Sequence, residues 1–412
     1  MTATTSELDF PFSAENLQDG VFLPKLNAIR EAEAVFFSDI QRGWFLTRHE
    51  DVTAAFNDPR WSSVRLSVTQ YDAIPLDQHD ALIPNLKKYV SEWSINIDGP
   101  KHERIRKLVI KVFNRKLVES LRPMIEEACD ELVSNAIAKG ELDFVEDVAF
   151  PLPAMVILAL LGLPKQHVAA MRRWAKALTT ALASHSPGKD ILLEAEATIV
   201  EMNEIFAQEV AKRKGNPGKD LMSVLVTASE DGDSLSAEEL YGLAQLMVIA
   251  GHDTTANSIG MGLIALLRHP DQLQRYLKGE VDFVTAMSEL LRYISMSSCQ
   301  PRIAKEDMVW GGKDIKAGSV GYLLIAAGNR DPRVFDNPEA LDFGRANIDK
   351  SLTFGPGLHH CLGHYLARVE MDILYRKLFA RAPKIELLPC YYTFSPNFVF
   401  RTIEHIPVRI PA

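Results

Sequence analysis

The residues best suited to chemistry lie in the run Phe354-Gly355-Pro356-Gly357-Leu358-His359-His360-Cys361-Leu362-Gly363. A lone cysteine stands in a glycine-rich loop, immediately before a strongly helical stretch over 362–381. A thiol at a helix start sits among backbone N–H groups without intrahelical partners, at the positive end of the helix dipole. That setting lowers the thiol pKa and favours the thiolate, which is a metal ligand or a nucleophile. Glycines let the chain turn sharply and bring N–H groups close to sulfur. A ligand role requires a metal or cofactor site elsewhere in the chain, and a nucleophile requires an oriented base. A buried packing cysteine beside an ordinary turn is the third reading.

A second cluster is Ala250-Gly251-His252-Asp253-Thr254-Thr255. It lies mid-way along a helical pattern that opens with Ser236 at the N-cap and Glu239 at N3, a capping box. The pattern runs to Arg268 and stops at His269-Pro270, a helix of about 50 Å at 1.5 Å per residue. Glycine, aspartate and threonine are poor choices for the middle of a buried helix. An aspartate between the apolar runs 243–250 and 259–267 is costly unless partnered. The segment Gly251 to Thr255 therefore reads as an interruption of the helix, either a functional site or a structural kink. Glu289 and Arg292, three apart in a helical pattern over 282–295, share a face and can pair.

The elements that position these groups are mostly helical. Residues 34–37 and 44–47 read as a hairpin and 50–57 as a short helix. Residues 62–97 show no clear period, and long irregular segments in compact domains are usually functional or mobile. Helical patterns follow from residue 102 onward, then over 116–139, 145–163, 165–183, 192–214 and 221–228. The stretch 145–163 is apolar nearly all round and should lie in the core. Short strands are expected around Ile303, Val309, Ile315 and 320–325. A loop-rich stretch leads to the cysteine loop, and a hairpin over 391–400 closes the chain. No repeat or linker divides the pattern, so 34–412 reads as a single domain after an N-terminal segment, 1–33.

Composition narrows the class. The chain has 412 residues, 47% hydrophobic and 24% charged, ordinary for a globular protein. A net charge of -9 argues against nucleic acid as a partner, because phosphate binding needs a basic face. Cys129, Cys299, Cys361 and Cys390 show no CxxC spacing, so neither a zinc site nor a disulfide framework is expected. No signal-peptide pattern opens the chain, and no apolar run reaches the roughly 18 residues of a membrane span. A cytoplasmic protein without membrane attachment is expected.

Taken together, these segments resemble the cytochrome P450 family. Its haem-loop pattern Phe-x-x-Gly-x-His-x-Cys-x-Gly is filled by Phe354, Gly357, His359, Cys361 and Gly363. Its oxygen-activating motif, Ala/Gly-Gly-x-Asp/Glu-Thr-Thr, falls at Ala250, Gly251, Asp253, Thr254 and Thr255. Its Glu-x-x-Arg motif falls at Glu289 and Arg292, and a later arginine matches Arg345 more loosely. The resemblance implies a mainly α fold with small β-sheets, the single-domain triangular prism of a soluble bacterial-type P450, with a long central helix over haem. Haem b would take Cys361 as axial thiolate, a ligand whose electron donation favours O–O cleavage. Phe354, Gly355, Gly363 and Ala250 would line the cofactor. His102, Arg106, Arg302 and His359 would meet its propionates. Before His102 the family usually has Asp-Pro-Pro, where this chain has Asp98-Gly99-Pro100. Asp253 and Thr254 would manage the protons of oxygen activation, and Glu289 with Arg292 would be a buried structural pair behind the haem loop.

The implied activity is a haem-thiolate monooxygenase. It would insert one oxygen atom from O2 into a hydrophobic small molecule by hydroxylation or epoxidation. Electrons would come from NAD(P)H through ferredoxin reductase and ferredoxin. The basic stripe Arg104, Lys107 and Lys111, with Arg115 nearby, suits an acidic ferredoxin. Family topology places Trp93, Leu246, Val248, Met296, Ser297 and Phe398 at the substrate pocket, beside the unusually small, polar run 295–298. Terpenoid, steroid, fatty acid and macrocyclic substrates all fit that composition, and a monomer is expected. The alternative is a non-catalytic haem-thiolate sensor, which retention of Asp253 and Thr254 opposes. A thiolate hydrolase using Cys361 is weaker still, for want of an oriented histidine.

Overall fold

The computed structural model describes residues 9–411 apart from 65–70, 184–186, 217, 219, 228, 231–232, 390–391, 396 and 398. The chain is predominantly helical, and its described residues gather into two compact units. One comprises Met1–Ser62, Cys129–Phe150 and Thr254–Ala412, the other Ser63–Ala128 and Pro151–Asp253.

The first unit holds most of the sheet. A five-stranded sheet runs in the order Val35–Ser38, Gly43–Leu46, Val320–Leu323, Gln300–Ala304, Trp61–Ser62. The predicted hairpin forms, with Val35 opposite Leu46, and its second arm pairs in parallel with Val320–Leu323. Leu46, Val52, Ala55, Trp61, Leu323 and Ile325 form a core cluster beside this sheet. Ile325, expected in the last strand, opens a short helical turn, Ile325–Gly328.

Helix Phe283–Ile294 is capped by Asp282, which accepts from the N–H groups of Val284 and Thr285. It ends at Ser295 in a left-handed conformation. The C-terminal hairpin pairs Phe394–Ser395 with Thr402–Ile403, so its second arm lies beyond the expected 391–400. The reason is competition: Val399 and Phe400 pair instead with the chain at 297–298, through the Ser297–Phe400 bridge and the Ser298 N–H to Val399 O bond of 2.8 Å.

In the second unit, the irregular excursion contains helix Pro84–Val90 and several single turns. These pieces are too short for a period to register in the sequence. Residues 145–163 are not one helix but a π-turn, Val145–Ala149, at the end of a first-unit segment, followed by helix Pro151–Leu161 of the second unit. Pro151 and Pro153 lack the N–H groups that a continuous ladder would need.

The central helix, Ala237–Arg268, has its capping box in place. Glu239 N–H donates to Ser236 Oγ at 3.2 Å, and Ser236 N–H to Glu239 Oε2 at 2.9 Å. The expected interruption does not occur, because the helix runs unbroken through Gly251 to Thr255. A Cβ at Gly251 would lie 2.6 Å from Ile157 Cδ1. Glycine is there to let helix Pro151–Leu161 pack close, not to break the ladder. Among the described residues, no helix is long and apolar enough to cross a membrane.

Candidate active site

The cysteine loop belongs to the first unit. Gly355 and Gly357 both have positive φ, 66° and 86°. A Cβ at Gly357 would lie 2.8 Å from Asn57 Oδ1 and 3.0 Å from Phe56 O, so only glycine fits. Cys361 N–H donates to Phe354 O at 2.9 Å and His360 N–H to Gly357 O at 3.0 Å, which closes the loop on itself. Helix His364–Arg381 begins three residues after the cysteine. A Cβ on Gly363 would meet only Cys361 Sγ, at 3.9 Å. Cys361 is exposed where Cys129 and Cys299 are buried, which removes the packing reading and leaves ligand or nucleophile.

Behind the loop, charge is held deep in the fold. Glu289 and Arg292 are fully buried. Arg292 Nε reaches Glu289 Oε2 at 2.7 Å and Nη2 reaches Oε1 at 2.8 Å. Arg345 Nε lies 3.1 and 3.0 Å from the same two oxygens, and Asp342 N–H donates to Oε1 at 3.0 Å. Arg292 Nη1 also donates to the carbonyls of Asn329 and Pro338. One carboxylate therefore ties helix Phe283–Ile294 to the loop-rich stretch ahead of the cysteine.

Sequence reading missed Arg368. Its guanidinium lies 4.4 Å from the Phe354 ring centroid and donates to Ser288 Oγ at 2.9 Å and His364 O at 2.9 Å. Burial pushes its pKa down to about 10, against the opposing pull of Cys361. The available signal was its place one turn after His364 on the helix following the cysteine, but an arginine alone reads as a surface group.

Arg302, on strand Gln300–Ala304, is buried with its guanidinium 5.4 Å from the Phe56 ring centroid. The same ring lies 3.3 Å from where a Gly355 Cβ would be, so Arg302 and the cysteine loop share a neighbour. His359 is half-buried in the loop.

In the second unit, helix Gly99–Val112 carries His102 buried and Arg106 half-buried one turn on. Gly99 has φ 63°, which a proline at that position could not adopt. This accounts locally for Asp98-Gly99-Pro100. Glu103, Arg106, Lys107, Ile110 and Lys111 line an open groove. Arg104 does not join them: it forms an ion pair with Glu239 and reaches Ser234 O.

On the central helix, Ala250 is exposed and Met247, Gly251, Asp253 and Thr254 are half-buried, between flanks that are otherwise mostly buried. Burial pushes the Asp253 carboxyl up to about 6. Leu246 and Val248 turn into the packing, and Met247 shares the accessible face with Ala250 and Gly251, at i+3 and i+4. Trp93 is buried and its indole N–H goes to Gln245 Oε1 at 3.1 Å. Met296 and Ser297 are buried, with Arg401 N–H donating to Met296 O at 2.8 Å. Phe398 lies outside the described residues.

An exposed thiol on a glycine-rich loop ahead of a helix is a donor of the kind that a haem-thiolate centre uses. Within the second unit, Ala250 and Gly251 give the central helix an accessible face of small residues. The cytochrome P450 family model matches residues 173–381. Cytochrome P450 CYP107DY1 of Priestia megaterium is 31% identical over 407 residues, covering 96% of this chain and 97% of that protein. The vitamin D(3) 25-hydroxylase of Pseudonocardia autotrophica is 35% identical, covering 84% and 81%. The crystal structure of P450BioI, in complex with acyl carrier protein ligated to hexadec-9Z-enoic acid, aligns with a TM-score of 0.86 at 29% identity, covering 97% and 99%. The chain belongs to the cytochrome P450 family. It is a haem monooxygenase of the P450 fold, with haem held through the thiolate of Cys361.

Proposed function

We propose that this protein hydroxylates or epoxidises an extended hydrophobic small molecule, taking electrons from NAD(P)H through ferredoxin reductase and a ferredoxin. One substrate, one O2, two electrons and two protons give the oxygenated product and one water. Bound haem supplies the iron at which dioxygen is reduced, with a thiolate ligand that favours O–O cleavage. The remaining roles fall to the chain. Asp253, with its carboxyl near 6, takes protons from solvent and passes them inward. The Thr254 hydroxyl holds the water through which they move. His102, Arg106, Arg302 and His359 offset the propionate charges. Phe354, Gly355, Gly363 and Ala250 give the cofactor its close-fitting surroundings.

Lys107 and Lys111, exposed on helix Gly99–Val112, carry the docking charge for the ferredoxin. Two of the named relatives, a vitamin D(3) 25-hydroxylase and a P450 crystallised with acyl carrier protein ligated to hexadec-9Z-enoic acid, favour a sterol-like or fatty-acyl substrate over a compact terpenoid.

The exposed Cys361 on its self-bonded loop carries this reading. The purified protein is expected to show the thiolate-type Soret band of the reduced, carbon monoxide-bound form, and Cys361→His to move it. Haem-free protein, or an unmoved band, refutes the assignment. A library of sterols and fatty acids, read by the low-to-high-spin shift, is expected to yield binders. A library in which only compact terpenes shift the spin state overturns the substrate class.

A further inference from the structure

Within the first unit, Arg368 is tied to the cysteine loop and to the helix that supports it. On helix His364–Arg381 it lies one turn after His364, the first helical residue. Its Nη1 donates to His364 O at 2.9 Å and to His364 Nδ1 at 2.8 Å, so that ring nitrogen is an acceptor. Its Nε donates to Ser288 Oγ at 2.9 Å, and the Ser288 hydroxyl donates in turn to Val284 O at 2.6 Å. Ser288 is buried next to Glu289 on helix Phe283–Ile294. The guanidinium therefore bridges that helix to the one that follows the cysteine.

Its flat face reaches the loop. The guanidinium lies 4.4 Å from the Phe354 ring centroid, and the rings of His360 and His364 stand 6.5 and 5.9 Å from the same centroid. Phe354 O accepts the Cys361 N–H at 2.9 Å. One residue, Phe354, thus touches Arg368 through its ring and Cys361 through its backbone.

The charge on Arg368 has no local carboxylate to cancel it. Arg292 and Arg345 share Glu289, and Arg330 has Glu339 at 3.1 Å. Arg368 spends its bonds on a hydroxyl, a carbonyl and a ring nitrogen, all uncharged acceptors. Among the described residues no carboxylate pairs with it, and the group whose charge attracts it is Cys361. Uncharged acceptors satisfy N–H groups but leave the positive charge in the local field. A fixed cation near a ligating sulfur reduces the electron density that the sulfur gives to a metal, and it stabilises the state that carries one more negative charge.

We infer that Arg368 is a positioning residue whose fixed positive charge, held against Phe354 by Ser288 and His364, raises the reduction potential of haem iron bound through Cys361. The inference rests on the haem-thiolate reading. The step it affects is the gain of one electron by the iron, with no bond made or broken, the electron coming from the ferredoxin in turnover and from dithionite in the test.

Substrate-free holoenzyme is titrated with dithionite and redox mediators, with no ferredoxin present. Arg368→Gln keeps a donor for Ser288, and Arg368→Met keeps an apolar stem beside Phe354. In both, the ferric-to-ferrous ratio at a fixed applied potential is expected to rise about tenfold, a fall of about 59 mV for one electron. The carbon monoxide stretching frequency of the reduced complex should fall as well, because the sulfur donates more. Arg368→Lys, which keeps the charge without the fork, should stay within about twofold of wild type. Both measurements read only haem-loaded molecules, so partial haem loss leaves them valid. Equal shifts in the Lys and Gln variants would assign the effect to the fork and overturn the inference. An unchanged potential in the Gln and Met variants would overturn it too, and slowed reduction by ferredoxin alongside would make Arg368 a docking charge. Wild-type protein without a thiolate-type Soret band would instead strike at the haem reading.

Discussion

Two carboxylates in this protein have opposite surroundings. Glu289 is fully buried, and its two oxygens are taken up by Arg292, Arg345 and the Asp342 N–H. Asp253 keeps part of its surface accessible, and desolvation lifts its carboxyl to about 6. The same functional group serves as fixed mortar in one place and as a titrating group in the other only in the sense of its contacts: Glu289 is held by two guanidinium groups and a backbone N–H. At Asp253 desolvation moves the pKa toward the working pH and makes proton exchange possible.

The contrast can be broken most severely at Glu289. Glu289→Gln strands two buried guanidinium groups and is expected to cost about 3–5 kcal/mol, read as a lower urea midpoint together with loss of haem from the purified protein. A stable, haem-replete variant would mean that the triad is not what holds the loop's support.

Asp253→Asn should leave the fold intact and cut product formation about 100-fold, the scale of one positioned acid–base group. The wild-type rate should inflect near pH 6 and the variant's should not. Stability follows the same residue with a definite sign. The folded state binds this proton more tightly than the unfolded state, so stability falls as pH rises from about 4 to about 6. Asp253→Asn should flatten that part of the urea-midpoint profile.

The smallest effect is expected from charges on an exposed helix face. Lys107→Glu with Lys111→Glu should slow reduction by ferredoxin about tenfold at low ionic strength, with the difference shrinking as salt is added. The spin-shift titration should stay unchanged. Salt-independent slowing would point to contact geometry instead of steering.

Much of the scaffold was legible because its signals are local. The capping box at Ser236 and Glu239 and the glycine pattern around Cys361 each encode a backbone requirement in a few adjacent residues. The motifs also located Glu289 and Arg292. What escaped depends on partners far along the chain. Gly251 looked like a break because Ile157, which fills the space of its missing Cβ, is 94 residues away. Arg104 looked like a surface charge because spacing along one helix says nothing of Glu239. Met247, which shares the accessible face with Ala250, was not singled out because its exposure depends on what packs around the helix. The break at Pro151 was visible in composition but was outweighed by the uniform apolarity of 145–163.

The backbone bonds joining 296–298 to 399–401 have a consequence for variation. Met296 O, Ser297 and Ser298 N–H are each tied to the C-terminal strand, so neither segment can shift its path without moving the other. Substitutions on the two segments should therefore be epistatic. A change tolerated at 297 in one background can be ruinous with a different residue at 400, and single-site scans will misjudge the pairs. An effort to redirect this enzyme toward new substrates would do better to randomise the two segments jointly than to add together the best single changes, because additivity is lost between positions that share a backbone shift.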